Sequence, residues 1–407
     1  MNPHSERRPG LVLVVLLGSL TALDPLSIDM YLPAFPEIQR SFGVDYSTVA
    51  LSLSTFFVGL ALGQLVYGPL TDRFGRKRPL GIGMGLYFLS SLGCAFSKNI
   101  ELFILFRVIQ AFGGCSGMVI SRAIVRDLFG KQRTAQIFST LMLVMGLAPM
   151  LAPLAGGYLT RFFGWPSIFI TLAGLSLVSC AFSQWLLPET LAASSRSSMT
   201  LGSSLKSYLE MFRDRSFIRY CLPGGIIRAG MFAYIAGSPF VFIQLLHVPY
   251  DRYGWIFGAN ALGLIVASQF NSLLLKRWDM EVILKSVILA CALFGVAVLV
   301  LPLSTSNLWA LLVPLFLFIA SLGLIGPNSA AGALAHQGHR AGMASALYGA
   351  LQWAFAFFSS LLMGRVHDGT SFPMRAIIAA CGCLSLFVFW GFREAEKPAI
   401  SGSGVGP

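Results

Sequence analysis

Charge is scarce in this chain. Of 407 residues only 11% are Asp, Glu, Lys or Arg, while 56% are hydrophobic. A soluble globular protein needs a charged surface, so this composition points to lipid as the solvent. Histidine is rarer still. The five, His4, His247, His336, His339 and His367, fall in the N-terminal tail or in expected loops, which leaves none as a buried proton carrier and none for a His-containing catalytic triad. The seven cysteines (94, 115, 180, 221, 291, 381 and 383) all sit in apolar runs without the ligand spacing of a zinc site, and are read as small packing residues. No Gly-x-x-x-x-Gly-Lys-Ser/Thr loop occurs, so nucleotide hydrolysis is not the energy source. The run Gly81–Gly85 has glycines at dinucleotide-like spacing but opens an apolar segment with no strand before it, and is read as close helix packing. No cofactor, no metal and no enzymatic activity are expected.

Long hydrophobic runs fill the space that charge vacates. Stretches near the ~20 residues needed to cross lipid recur at 10–32, 48–70, 79–97, 100–122, 135–158, 165–187, 217–243, 253–275, 282–303, 308–333, 341–363 and 372–392. The expected fold is an all-α membrane protein of twelve transmembrane helices. The first run is too long for a cleaved leader, carries Asp24 and Asp29, and has no small-residue cleavage site. Lys and Arg distribute unevenly between the loops. With the N-terminus inside, the inner side receives 21, the outer side 6, and Arg107 and Arg228 fall within spans. By the positive-inside rule both termini are cytoplasmic. The net charge of +12 is thereby a topology signal and a contact with the lipid headgroups, and nucleic acid is not expected as a partner.

A polar stretch at 188–216 divides the chain near its midpoint. It separates a first six-helix bundle at 1–187 from a second at 217–396, followed by a flexible tail at 397–407. Within the linker, Leu201, Leu205, Tyr208, Leu209 and Phe212 fall near helical spacing, as in an amphipathic segment lying on the inner surface. Six spans on either side suggest two related halves, although direct repeat evidence is limited to the Gln64 and Gln269 regions, each running into a basic loop.

Four charged side chains lie well inside spans: Asp24, Asp29, Arg107 and Arg228. Each costs several kcal/mol by most estimates and needs a partner or a function. A rise of about 1.5 Å per residue places Asp29 about 6 Å and Asp24 about 14 Å from the outer end of the first helix, and Arg107 about 10 Å in. Arg228 lies about 16 Å from the inner surface, level with Asp24. Asp24 and Asp29 are five residues apart and diverge by about 140° on a regular helix, whereas Asp24 and Tyr31, seven apart, share a face. The expectation is that Asp24 and Tyr31 face a central cavity and Asp29 turns to Arg107. Arg228 either pairs with Asp24 across the halves or meets an acidic or zwitterionic substrate. Tyr234, Asn260, Asn328, Gln352 and Trp353 are further cavity candidates in the second half, with Phe232 and Tyr348, each equally able to serve helix packing.

The loop after the second span reads GPLTDRFGRKR, with Gly68, Asp72, Arg73, Gly75 and Arg76. A solvated basic loop explains the Arg and Lys but not the Gly–Asp–Gly spacing. This pattern resembles the signature loop of the major facilitator superfamily, whose fold is two six-helix bundles. The resemblance implies that Asp72 helps hold the halves together on the cytoplasmic side, against the start of the eleventh span near Ala341. Arg107, Gln110, Gly113 and Gly117 resemble the family's second motif. Gly146, Pro149, Pro153, Gly156 and Gly157 in the fifth span resemble the antiporter motif of drug exporters, with Ala148 and Ala152 where Gly is usual. With PLSIDMYLP at Pro25–Pro33 and PET at Pro188–Thr190, the chain resembles the Bcr/CflA group of multidrug exporters. Arg228 departs from that group, where an apolar or small residue is usual.

The resemblance implies a proton-coupled antiporter for small amphiphilic drugs in a bacterial inner membrane, working as a monomer by alternating access. Asp29, Arg107 and Asp24 would couple protons, and Asp24, Tyr31, Arg228, Tyr234, Asn260, Asn328, Gln352 and Trp353 would meet substrate. Export of a native metabolite, such as an amino-acid derivative or siderophore, is the alternative within transport. A non-transporting sensor or channel is the alternative outside it.

Overall fold

The computed structural model describes residues 11–192, 207–304, 308–335, 337, 341–366 and 368–391. Among them the regular structure is helical. The elements are α1 (Leu11–Asp29), α2 (Phe35–Phe42), α3 (Tyr46–Phe74), α4 (Lys77–Ala95), α5 (Ile100–Leu128), α6 (Lys131–Phe163), α7 (Pro166–Leu186), α8 (Arg215–Ser238), α9 (Tyr250–Leu274), α10 (Met280–Ser304), α11 (Trp309–Leu334), α12 (Ala341–Arg365) and α13 (Phe372–Gly391). All except α2 are 19 residues or longer and coincide with the expected runs. Among the described residues, ten helices are long and apolar enough to cross a membrane.

Local chemistry sets the ends. The Asp45 carboxylate accepts from the Thr48 amide at 3.1 Å and from the Ser47 hydroxyl at 2.7 Å, which satisfies an orphan donor at the start of α3. Hydrogen bonds from Thr48 and Ser47 hold the Asp45 carboxyl below its usual range. Asn99 and Asp214 cap α5 and α8 in the same way. Gly43, in the left-handed region at φ 65°, stops α2. That short helix falls between expected spans, yet Phe35, Ile38 and Phe42 lie on one side of it, and the first two are buried.

The helices pack as two sets. In the first, α1 lies against α5, α6 and α7, while α3 and α4 both pack on α5; in the second, α8 lies against α11, α12 and α13, and α9 and α10 against α11. The sets meet along two seams, α3 with α12 and α6 with α9. They are drawn together at the end that carries Asp45. There the Tyr46 hydroxyl donates to the Ala236 carbonyl, the Tyr46 ring meets Phe240 at 5.5 Å, and the Gln244 amide donates to Gln39 at 2.7 Å. At the opposite end, Tyr208 and Met211 bury against Ala344 and Leu347 of α12. Of the expected amphipathic segment, Leu201 and Leu205 lie outside the described residues, Tyr208 packs inward, and Leu209 and Phe212 are exposed.

Candidate functional site

Three of the four intramembrane charges converge on the end of α1, but not in the expected pairs. Regular helix stops at Asp29. Tyr31 lies beyond it, in the turn that leads into a single 3-10 turn at Leu32–Ala34, so the 100° step per residue no longer fixes its direction. Tyr31 turns into the first half and is fully buried between Phe35 and Phe169, with ring centroids at 5.0 and 6.1 Å. It is therefore enclosed by its own half and does not face a central cavity.

Arg107 is where Tyr31 goes. Its guanidinium is fully buried and lies between the rings of Tyr31, at 4.2 Å, and Phe56, at 4.1 Å. It donates to Gln110 Oε1 at 2.6 Å and to the Ser27 carbonyl at 3.0 Å. Gln110 passes the network on to Ser91 at 2.8 Å, and the Ser27 and Tyr87 hydroxyls meet at 2.5 Å. Among the described residues no carboxylate reaches Arg107, and the expected Asp29–Arg107 ion pair is not formed. Two aromatic faces and two neutral acceptors hold the cation instead.

The two acids depart from the helical-wheel expectation. Asp24 faces inward, over Gly114 of α5, where a Cβ would collide with its carboxylate and with the Tyr87 ring. Arg122 acts on it through space, and among the described residues it forms no ion pair, so the Asp24–Arg228 alternative is not realised. Asp29, also buried, is close enough for its charge to act on the hydroxyls of Tyr234 and Tyr253 in the second half. Both Asp24 oxygens and one Asp29 oxygen are buried with no hydrogen-bond partner.

Across the seam, Phe57 of α3 meets Phe232 of α8 at 4.6 Å and Trp353 of α12 at 5.9 Å, joining the halves through three rings. Tyr234 accepts from Asn260 at 3.0 Å and stacks on Phe257 at 5.6 Å. Asn328 is engaged by Asn271, each amide donating to the other at 2.8 and 3.3 Å, so this candidate serves to clamp α9 to α11. Gln352 is buried with neither amide atom partnered. Arg228 is partly exposed, and Tyr348 is near enough to act on its charge.

At the opposite end, the Gly–Asp–Gly loop forms a compact cluster within the first half. Gly75 ends α3 at φ 86°, a backbone shape that favours glycine. Arg76 donates to Asp72 at 2.7 Å and to Asp127 at 2.8 Å. Partial burial disfavours its charge, but the Asp127 and Asp72 carboxylates more than offset this and raise the guanidinium above its ordinary pKa. Asp72 is 56% exposed and bound to Arg76, so its expected contact with the start of α12 is not among those described. Arg73 lies over the Phe74 ring. Asp127 and Glu189 are the residues that sequence reasoning missed. Glu189 accepts from the Arg76 and Lys77 amides at 2.8 and 3.2 Å and so caps α4, and Thr190 donates to Asp127 at 3.0 Å. A Pro-Glu-Thr run just past a helix end, facing a basic helix start, was the available signal. Glu189→Ala is expected to cost about 0.5–2 kcal/mol, read as a lower Tm of the purified protein, with Glu189→Gln losing less.

In the antiporter-like motif, Pro149 and Pro153 lie inside one continuous α6. Gly146 sits beneath Ile265 of α9, Gly156 sits beneath the Met30 carbonyl of the α1 end, and Gly157 is buried beside it. The motif thus packs α6 on one side against the other half and on the other against the residue next to Asp29.

Two bundles of helices meeting along two seams, with lone carboxylates near one of them, can now be set beside known proteins. Residues 17–360 match the Major Facilitator Superfamily. The chain belongs to this superfamily. As such it is a multi-pass, all-α membrane protein. The uncharacterized MFS-type transporter YdgK of Bacillus subtilis is 36% identical over 400 residues, covering 97% of this chain and 98% of that one. The bicyclomycin resistance protein homolog of Haemophilus influenzae is 29% identical, covering 95% and 97%. The chloramphenicol resistance protein of Pseudomonas aeruginosa is 30% identical, covering 91% and 90%. Among solved structures, a D-xylose–proton symporter shares the fold with a TM-score of 0.71 at 16% identity, covering 94% of this chain and 96% of that one.

Proposed function

We propose that this major facilitator protein exports small amphiphilic compounds in exchange for protons across a bacterial inner membrane. It does so as a monomer with twelve spans and both termini in the cytoplasm. The observation that carries the reading is Asp29, a buried carboxylate at the end of α1 with one oxygen unpartnered, no ion pair among the described residues, and a charge that acts on two tyrosine hydroxyls of the opposite half. The membrane interior does not hold a lone charge cheaply. A carboxylate whose surroundings change when the halves rock is suited to take a proton on one side and release it on the other.

Arg107, held by neutral groups that include the Ser27 carbonyl of α1, is a cation that Asp29 can approach when the end of α1 moves. Asp24, deeper in the first half, is the second carboxylate of the coupling site. Tyr234, Asn260, Gln352, Trp353 and Arg228 line the proposed substrate space, with Phe57 and Phe232 offering an apolar face. Asp72, Arg73 and Arg76, with Gly68 and Gly75, form the cytoplasmic gate, and the excess of Lys and Arg in the loops on that side supports the orientation. The resistance proteins among the relatives support drugs as cargo.

Chloramphenicol retention in cells that lack other exporters tests the reading. Expression of the chain should lower retention, and a proton uncoupler should restore it. Export that persists undiminished with the uncoupler present would refute proton coupling.

A further inference from the structure

Arg228 is a cation near the middle of the second half, and that half supplies nothing to neutralise it. No Asp or Glu occurs from residue 215 to 250, from 252 to 278 or from 282 to 367. The first half's two buried acids do not pair with it: Asp24 lies over Gly114, and Asp29 acts on Tyr234 and Tyr253. Among the described residues no carboxylate lies within ion-pair distance of Arg228 and its guanidinium makes no hydrogen bond, while the residue as a whole is not fully buried. A guanidinium at this depth needs a counter-charge.

The groups around it are poised to receive the same ligand. A Cβ on Gly326 of α11 would lie 3.5 Å from Arg228 Nη2. One turn earlier on α8, a Cβ on Gly224 would meet the Ser329 hydroxyl at 2.7 Å and the Tyr348 hydroxyl at 3.6 Å. Two helices therefore lack bulk beside Arg228, Ser329 and Tyr348. Ser329 Oγ and both amide atoms of Gln352, one turn beyond Tyr348 on α12, are buried without partners. Unpartnered buried polar atoms are costly, and several at one place are accounted for by a ligand that joins them. Each of the four side chains offers a donor, and one is a fixed cation, a set that suits an anion. Four residues further along the same face of α8 comes Phe232, in contact with Phe57 and Trp353.

We propose that Arg228, Tyr348, Ser329 and Gln352 form an anion-binding subsite, and that the exported compounds include amphiphiles carrying a carboxylate about one helical turn (~6 Å) from an aromatic body. This rests on the inter-half space being the substrate site, and it narrows the cargo to acids and zwitterions in preference to lipophilic cations.

Equilibrium binding of 2-naphthoate, 2-naphthamide and tetraphenylphosphonium to the purified full-length protein tests it. Wild type should bind naphthoate about tenfold more tightly than naphthamide, the size of one hydrogen-bonded charge. Arg228→Gln should bring that ratio to about one. Tyr348→Phe and Gln352→Leu keep the cation and should lower naphthoate affinity severalfold, which secures the test should Arg228→Gln fail to fold. A naphthoate-to-naphthamide ratio of about one in wild type, a ratio unchanged in Arg228→Gln, or tighter binding of the phosphonium ion than of naphthoate would overturn the proposal. Transport separates the two readings. Naphthoate bound through Arg228 but not moved by a pH gradient would leave the subsite standing and sink the antiport. Gradient-driven export of the phosphonium ion without naphthoate binding would do the reverse.

Discussion

Asp29→Asn is expected to reduce export driven by a pH gradient to background, while substrate exchange between the two sides of the membrane in the absence of a gradient continues. The asparagine matches the aspartate in size and keeps a polar group before Tyr234 and Tyr253, so packing at the seam is retained. It cannot carry a proton. Removing a charge from the interior also removes a solvation cost, so the folded protein should accumulate normally. Asp24→Asn is the informative partner. Asp24 lies over Gly114, inside the first half and away from the seam, and its neutralisation should leave part of the coupled export in place. Coupled export by Asp29→Asn at the wild-type rate would remove Asp29 from the mechanism, and complete loss in Asp24→Asn alone would transfer the role to Asp24.

The second large effect is expected at Gly156. A methyl group there would run into the backbone carbonyl of Met30. Backbone cannot swing aside as a side chain does, so Gly156→Ala must push the end of α1 away from α6. Overpacking of this kind costs about 1–3 kcal/mol, and the displaced segment begins one residue after Asp29. Transport should therefore fall further than stability. Gly174→Ala in α7 is the control. Nothing lies within 4 Å of a Cβ at Gly174, and it should transport normally. Equal losses in the two variants would mean that both act by weakening the helices, without any special contact at Gly156.

The architecture was legible in the sequence because lipid imposes a simple code: apolar length gives spans and basic loops give sidedness. Depth was legible too, since rise per residue is nearly constant along a helix. Direction was not. The shared face of Asp24 and Tyr31 assumed that α1 continues, whereas it stops at Asp29 before Tyr31, and that early end lets the Tyr31 ring turn into the first half. Charge alone also misled for Arg107. Opposite charges at equal depth suggested a pair, while Tyr31 and Phe56 provide two ring faces that a pairwise charge argument does not count. Asn328 read as a cavity residue because its partner, Asn271, lies 57 positions away on another helix. The α2 helix escaped a search tuned to membrane-length runs, although Pro36, the Phe35–Ile38–Phe42 spacing and Gly43 mark its start, face and stop.

The most direct test of the account is difference infrared spectroscopy of the purified protein on addition of a transported compound. The account predicts that a protonated-carboxyl band disappears on binding in wild type and in Asp24→Asn, and that no such change occurs in Asp29→Asn. A band that disappears unaltered in Asp29→Asn would contradict it.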